Sequence, residues 1–472
     1  MSTCQIIPPY ILEALARSDD PAIAARARES LTHADELRAG RQGMASGSTK
    51  HTPRAKPGGP DAPARTIADA HGKQTTPGDT VRTEGGPATG DQAADEAYDG
   101  LGDTWTFYSA VFQRNSVDGK GLPLLATVHY GKDYDNAFWN GEQMVFGDGD
   151  GVVFGRFTSS VDVIGHELTH GVTQYTAGLN YQDQPGALNE SVSDVFGSLV
   201  KQYHLGQTAA EGDWLIGADL LAPGIKGRAL RDMLHPGTAY DDPQLGKDPQ
   251  PADMSGYVDT ADDNGGVHLN SGIPNRAFAL AATTVGGKAW ETVGPIWYAV
   301  LTGDGIKADC DFATFAGLTV QAAQASGVDP AVAAAVQQAW ETVGVLKAAG
   351  SGDTSTGSSG GHPKGKHHPQ KSGDSSAPTG SPVPTTVILT RSGGFAGITR
   401  QARVRLADLP DDDTSAWEML LASPTLQRLA GERAHPDAYS YSVRADDLNV
   451  TVSEPHLPAD IHNLFERTLR AD

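Results

Sequence analysis

Two histidines flank a glutamate at His166-Glu167-Leu168-Thr169-His170, and a second acidic motif follows at Asn189-Glu190-Ser191-Val192-Ser193-Asp194. On a helix, residues four apart lie one above the other, so His166 and His170 present two imidazoles to one point while Glu167 projects beside them. A catalytic zinc takes three protein ligands and keeps a fourth position for water. Glu190, nineteen intervening residues after His170, supplies the third ligand as a carboxylate. Asp194, one helical turn beyond Glu190, can accept the second ring N–H of a zinc-bound histidine and so fix its tautomer. Zinc held this way lowers the pKa of its bound water from about 16 towards about 7. Glu167 is then placed to take the water proton and hand it to a leaving amine. These residues point to metal-assisted hydrolysis of a peptide bond.

A bare HExxH pattern also arises in ordinary amphipathic helices, so its context matters. Three further segments supply it: the Asn-Glu-x-x-Ser-Asp element, Asp263-Asn264-Gly265-Gly266-Val267-His268-Leu269-Asn270-Ser271-Gly272, and Asn136-Ala137-Phe138-Trp139-Asn140-Gly141. Together they resemble the thermolysin family of neutral metallopeptidases, from about Thr83 to Lys347, and the short N-terminal segment sets the chain nearest the protealysin-like branch. The resemblance implies that His268 and Tyr181 donate to the developing oxyanion and that Asp263 orients His268. It implies that substrate lies antiparallel to an edge strand, held by Asn136 and Ala137 with Trp139 nearby, and that Arg231 binds a carbonyl on the primed side. Phe154, Phe157, Val163, Ile216 and Leu230 match the family's S1′ pocket, which implies cleavage before large hydrophobic residues. The same five are equally readable as core.

The chain departs from thermolysin at the double calcium site. Asp162 and Asp213 are kept, but Lys201, Leu215 and Ala218 stand at matching positions, too few oxygen ligands for two adjacent divalent ions. Asp148, Asp150 and Asp162 leave room for one weaker calcium site.

The elements that must position these residues can be read from periodicity. Apolar residues recur at helical spacing from Asp91 to Phe112, and Leu122 to Phe146 reads as short strands and turns. From Ser160 the pattern is mainly helical: the His166 helix, the Glu190 helix, Arg276 to Leu280 and Ala331 to Val345. The expected class is α+β: a two-lobe thermolysin-like peptidase with a mixed N-terminal lobe (61–159) and a helical C-terminal lobe (160–347), plus a small α+β domain at 385–472. Residues 1–60 read as a short pro-segment and processing linker, with helical spacing through Ala22 to Arg28. The Gly/Pro/Ala-rich stretch from Gly40 to about Asp79 has the composition of a protease-accessible joint. Residues 348–384, with His362, His367 and His368, cannot bury enough apolar area to fold and read as a linker. The segment Thr386 to Gly397 alternates like strands, with helices expected around Ala416 to Leu421 and Pro458 to Leu469. Its opening resembles emfourin, the small protein inhibitor of protealysin-like enzymes.

A net charge of −22 without an offsetting basic stripe argues against nucleic acid or anionic membrane as partners. The two cysteines, Cys4 and Cys310, fall in different units, so no disulfide framework is expected. A thiolate at Cys4 could occupy the fourth zinc position of a silent zymogen; the plainer reading is a small hydrophobe that packs. Met1 to Leu12 lacks a basic start followed by an apolar run, so a cytoplasmic protein, or one exported without a conventional leader, is the expectation. The leading reading is a zinc endopeptidase made as a zymogen, its pro-segment and C-terminal domain acting as intramolecular inhibitors. The alternative is a binding scaffold whose peptidase fold is permanently occluded.

Overall fold

The computed structural model describes residues 4–44, 62–325 and 327–347. Further on it describes 386–393, 400–406, 439–445, 448–453 and 459–469, with scattered positions between 409 and 457. The expected linker with His362, His367 and His368, the processing region 45–61 and residues 394–397 lie outside the described residues. The chain divides into two compact units, Met1–Thr354 and Ser355–Asp472.

The first unit carries a six-stranded sheet of β1 (Cys4–Gln5), β2 (Arg65–Asp69), β3 (Asp79–Thr83), β4 (Leu124–Val128), β5 (Ala137–Trp139) and β6 (Met144–Phe146), in the order β1-β5-β6-β4-β2-β3. β2, β4 and β6 run parallel, whereas β5 and the two edges pair antiparallel. The inner strands read Leu-Leu-Ala-Thr-Val, Ala-Phe-Trp and Met-Val-Phe and are almost entirely buried, as strands covered on both faces must be. The joint anticipated to run as far as Asp79 ends earlier, because Arg65–Asp69 is ladder-bonded to Leu124–Val128 and buries Ile67 and Ala68. The glycine and proline content around this short apolar run masks it in the sequence.

Helix α3 (Gln92–Phe112) starts where the Asp91 carboxylate accepts the Ala94 N–H at 2.9 Å, and it buries Ala94, Ala97, Tyr98, Leu101, Trp105 and Tyr108 at helical spacing. The N-terminal segment contributes α1 (Pro9–Leu15) and α2 (Pro21–Met44). Its Ile6, Ile7, Ile11, Leu12, Leu15 and Ile23 belong to the same hydrophobic core as the peptidase, so the segment is not a separately folded appendage.

The helical lobe contains α4 (Val161–Gln174), α5 (Asp183–Leu205), α6 (Asp263–Asn270), α7 (Gly272–Val285), α8 (Gly294–Thr302), α9 (Phe312–Ala325) and α10 (Pro330–Thr342). Short strands β7 (Leu215–Ile216), β8 (Arg231–Asp232), β9 (Asp241–Asp242) and β10 (Gly246–Lys247) lie between α5 and α6. α4 and α5 approach closely because glycines meet at their crossing. A Cβ on Gly197 would stand 2.4 Å from the Asp162 carbonyl oxygen, closer than any side chain tolerates. Side chains one turn away on both helices can therefore reach a common point. Among the described residues no helix is long and apolar enough to cross a membrane.

The second unit is a four-stranded antiparallel sheet of β11 (Thr386–Gly393), β12 (Arg400–Arg405), β13 (Tyr439–Ala445) and β14 (Leu448–Ser453), ordered β12-β11-β13-β14, with helix α11 (Ala459–Thr468). Val387, Leu389, Ala402, Val404, Tyr441, Val443 and Val452 alternate into its core against Ile461, Leu464 and Phe465. Trp417 stacks on Phe465 with centroids 5.2 Å apart and donates its indole N–H to Thr468 at 2.9 Å. Of the helix expected from Ala416 to Leu421, residues 416, 417, 420 and 421 are helical and the rest lie outside the described residues.

Candidate metal centre and cleft

α4 and α5 bring His166, His170 and Glu190 into one buried group whose ligand atoms all lie within 4.8 Å of one another. The two Nε2 atoms are 2.9 Å apart, and each stands 3.5 Å from a Glu190 oxygen. Ligands on one tetrahedral zinc with bonds of about 2.1 Å lie about 3.4 Å from each other, so the three residues fit such an ion. An orphaned atom supports the fit: Glu190 Oε2 is buried and has no hydrogen-bond partner, whereas Oε1 accepts from the Tyr181 hydroxyl. A buried carboxylate oxygen without a donor is costly unless something positive sits before it.

The far side of each imidazole is held. His166 Nδ1 lies 2.8 Å from Asp194 Oδ1, and His170 Nδ1 lies 2.8 Å from Asn189 Oδ1 and 3.0 Å from Ser193 Oγ. Both rings thus turn Nε2 toward the cluster. Burial pushes His170 down to about 4, which keeps it in the neutral form that a metal needs. Asp194 is itself clamped. Arg231 donates Nε to Oδ2 and Nη2 to Oδ1, each at 2.8 Å, and Asn275 Nδ2 donates to Oδ2 at 2.8 Å. Burial opposes ionisation of Asp194, yet the guanidinium outweighs it and holds the carboxyl well below the usual carboxylate range. Asn189 and Ser193 lie in the quoted motif but drew no role from sequence; their four-residue spacing was the available signal. Asn275 carried none.

Glu167 is fully buried, with Oε2 accepting the Trp139 backbone N–H at 2.9 Å and Oε1 without a partner. Burial first, then the nearby Glu190 charge, pushes its pKa well above the ordinary carboxylate value. On the opposite wall, α6 contains a left-handed run, Asp263, Asn264, Gly265 and Gly266, before it turns regular. A Cβ on Gly265 would lie 2.2 Å from Asp183 Oδ1, so only glycine fits there. The fold-back brings Asp263 Oδ1 to 2.6 Å from His268 Nδ1 and Oδ2 to 2.8 Å from the His268 N–H. His268 thus sits on a helix. Burial opposes charge on its ring, but Asp263 and Glu190 prevail and push it up to about 9. Tyr181 stands 3.3 Å from His268 Nε2. Phe154, Phe157, Val163, Ile216 and Leu230 are all buried in the hydrophobic core of the first unit.

The edge strand expected to receive substrate is already paired. Cys4 and Gln5 of β1 lie opposite Trp139 and Phe138 of β5. The Ile6 N–H donates to the Ala137 carbonyl at 3.2 Å, and the Ile7 N–H to Asn136 Oδ1 at 3.1 Å. Arg231 Nη1 donates to the Ile6 carbonyl at 3.2 Å, and His268 Nε2 lies 3.1 Å from the Gln5 carbonyl oxygen. Residues 4–7, Cys-Gln-Ile-Ile, include two strand-favouring isoleucines, but so short a run does not say where it pairs, because its ladder partners are more than a hundred residues away. The Cys4 side chain lies outside the described residues.

The carboxylates considered for calcium do not converge. Asp162 and Asp213 both accept from Lys201 Nζ, at 3.2 and 2.8 Å. Asp148 holds His129 at 2.8 Å, and Asp150 takes Arg26 at 2.8 Å and backbone N–H groups of Val152, Val153 and Phe154. An ammonium thus neutralises the Asp162 and Asp213 pair. Lys201→Ala is expected to cost about 1–3 kcal/mol, because buried Asp162 loses its cation. Urea unfolding measures this, and millimolar calcium should leave the wild-type midpoint unmoved.

Residues 51–174 match the thermolysin metallopeptidase catalytic domain, 177–345 its alpha-helical domain and 389–469 emfourin. An extracellular metalloprotease of Pectobacterium carotovorum subsp. carotovorum is 55% identical over 346 residues, covering 72% of this chain and 96% of the relative. The chain belongs to the thermolysin family of metallopeptidases. Protease PrtS of Photorhabdus sp. (strain Az29) is 48% identical over 342 residues, 72% of this chain and 91% of the relative. Among solved structures, the precursor of protealysin from Serratia proteamaculans is 53% identical with a TM-score of 0.66, covering 73% of this chain and all of that one. This thermolysin-family metalloendopeptidase therefore pairs a protealysin-like chain with an emfourin domain.

Proposed function

We propose that the chain is made as a latent zinc endopeptidase whose N-terminal segment fills its own cleft. One observation carries this reading: the backbone of Gln5, Ile6 and Ile7 takes up the hydrogen-bonding groups of Ala137, Asn136, Arg231 and His268 that an extended substrate would need. The likeness to the Serratia proteamaculans chain, itself a precursor, supports it.

Zinc held by His166, His170 and Glu190 would polarise the peptide carbonyl and lower the pKa of a bound water. Glu167 Oε1, buried and unpartnered, holds the water proton and passes it to the leaving amine. His268 and Tyr181 donate to the carbonyl oxygen as it gains charge, and Asp263 keeps the His268 ring turned. Asn136, Ala137 and Arg231 fix the residues after the scissile bond, and Trp139 ties the substrate strand to Glu167. The apolar set Phe154, Phe157, Val163, Ile216 and Leu230 favours a large hydrophobic residue there. The emfourin-like unit acts as a second inhibitor in cis, its effective concentration set by the residues joining it.

A recognition sequence for a site-specific protease placed between residues 45 and 61 allows the N-terminal segment to be cut after folding. Peptidase activity is expected to rise at least about tenfold once the segment is separated, since in cis it competes at an effective concentration on the order of millimolar. Equal activity before and after would remove the latency reading. Isolated residues 385–472, added to the matured enzyme lacking them, should inhibit it. No effect at millimolar concentration assigns that unit another role.

A further inference from the structure

The N-terminal segment does more than cover the cleft; it lies across it in a defined register. Gln5 offers its carbonyl oxygen to His268 Nε2 at 3.1 Å, with the Tyr181 hydroxyl 3.3 Å from the same nitrogen. The next residue gives its N–H to Ala137 O at 3.2 Å and its carbonyl to Arg231 at 3.2 Å. The residue after that gives its N–H to Asn136 at 3.1 Å. Thus the His268 ring addresses Gln5, and the groups that hold the leaving side address Ile6 and Ile7. Glu190 Oε2, buried and without a hydrogen bond, stands 3.6 Å from the same His268 nitrogen, and Glu167 Oε1 is likewise buried without one. An inhibitor that only blocked the cleft would need no such division of its contacts.

We propose that the Gln5–Ile6 peptide bond is the first bond this enzyme hydrolyses, in cis, within its own precursor; the proposal rests on the latency reading above. A solvent water adds to the Gln5 carbonyl carbon, forming a C–O bond. The C–N bond to Ile6 breaks and takes its electron pair to nitrogen. Both protons of the water end on the Ile6 nitrogen, which becomes an α-ammonium, Gln5 becomes the C-terminal carboxylate of the released pentapeptide, and no other reactant is consumed. The primed-side residues stay seated after the cut, because α1 and α2 remain buried in the peptidase core and Arg26 is paired with Asp150 at 2.8 Å. The product is a trimmed and still latent precursor, so trimming precedes the later removal of the segment and does not replace it.

The full chain, purified in chelator and then supplied with zinc, is followed by intact-mass and N-terminal analysis, with peptidase activity measured alongside. The expected result is loss of residues 1–5 after zinc addition, an N-terminus at Ile6, a rate constant unchanged over a tenfold range of protein concentration, and continued latency. Glu167→Gln should retain the Gln5–Ile6 bond under the same conditions. A zinc-loaded, latent precursor that keeps this bond, or loses only Met1, overturns the proposal while leaving latency intact. A trimming rate that rises with protein concentration overturns the cis reaction. A full-length chain that is fully active on added substrate overturns the latency reading, and the proposal with it.

Discussion

Glu167→Gln in the matured enzyme is expected to lower kcat/KM by about 10²–10⁴-fold, the range a positioned general base supplies, while bound zinc stays at the wild-type level. The split follows from where the atoms are. His166, His170 and Glu190 are untouched, and the substitution keeps the size of a side chain that is fully enclosed. The amide can orient its oxygen to accept the Trp139 N–H, so the strand holding substrate keeps its anchor. What disappears is the second oxygen, buried without a donor and able to hold a proton. KM should therefore move little and kcat should carry the loss. Zinc analysis with steady-state kinetics tests this. Activity within a few-fold of wild type would remove Glu167 from the proton path.

Asp194→Ala should have the largest effect on the folded protein. The carboxylate gathers two bonds from Arg231, one from Asn275 and one from His166, all at 2.8 Å and all buried. Removing it leaves a fully enclosed guanidinium without its counter-charge, a defect worth about 3–5 kcal/mol. It also frees the His166 ring, for which a loss of about 10–100-fold in zinc affinity is usual. Denaturant unfolding of the metal-free protein reads the first effect, and zinc competition against a chelator reads the second. Arg231→Met separates them, since it strands Asp194 but leaves the His166 bond: stability should fall by a similar amount and zinc affinity by less. Unchanged stability in both variants would mean that the Asp194–Arg231 pair does not hold the two helices and β8 together.

Features that depend on helical spacing and local chain geometry were legible in the sequence. A spacing of four from His166 to His170 puts two imidazoles on one face of α4, and the same rule puts Asp194 one turn beyond Glu190 on α5. The Asp-Asn-Gly-Gly-Val-His segment keeps Asp263 within reach of His268 because the left-handed residues fold the chain back over five positions. Alternation and apolar spacing outlined α3, the inner strands and the sheet of the second unit. Tertiary structure alone decided how these local pieces meet. Arg231 and Asp194 are thirty-seven residues apart and pair only because β8 is laddered to β7, which packs against α5. Lys201 stands between Asp162 and Asp213 because two glycines let α4 and α5 touch. The strand at Cys4 is too short to announce its partner. It forms because β5 presents an unpaired edge, and backbone N–H and C=O groups buried there must find partners wherever in the chain these lie.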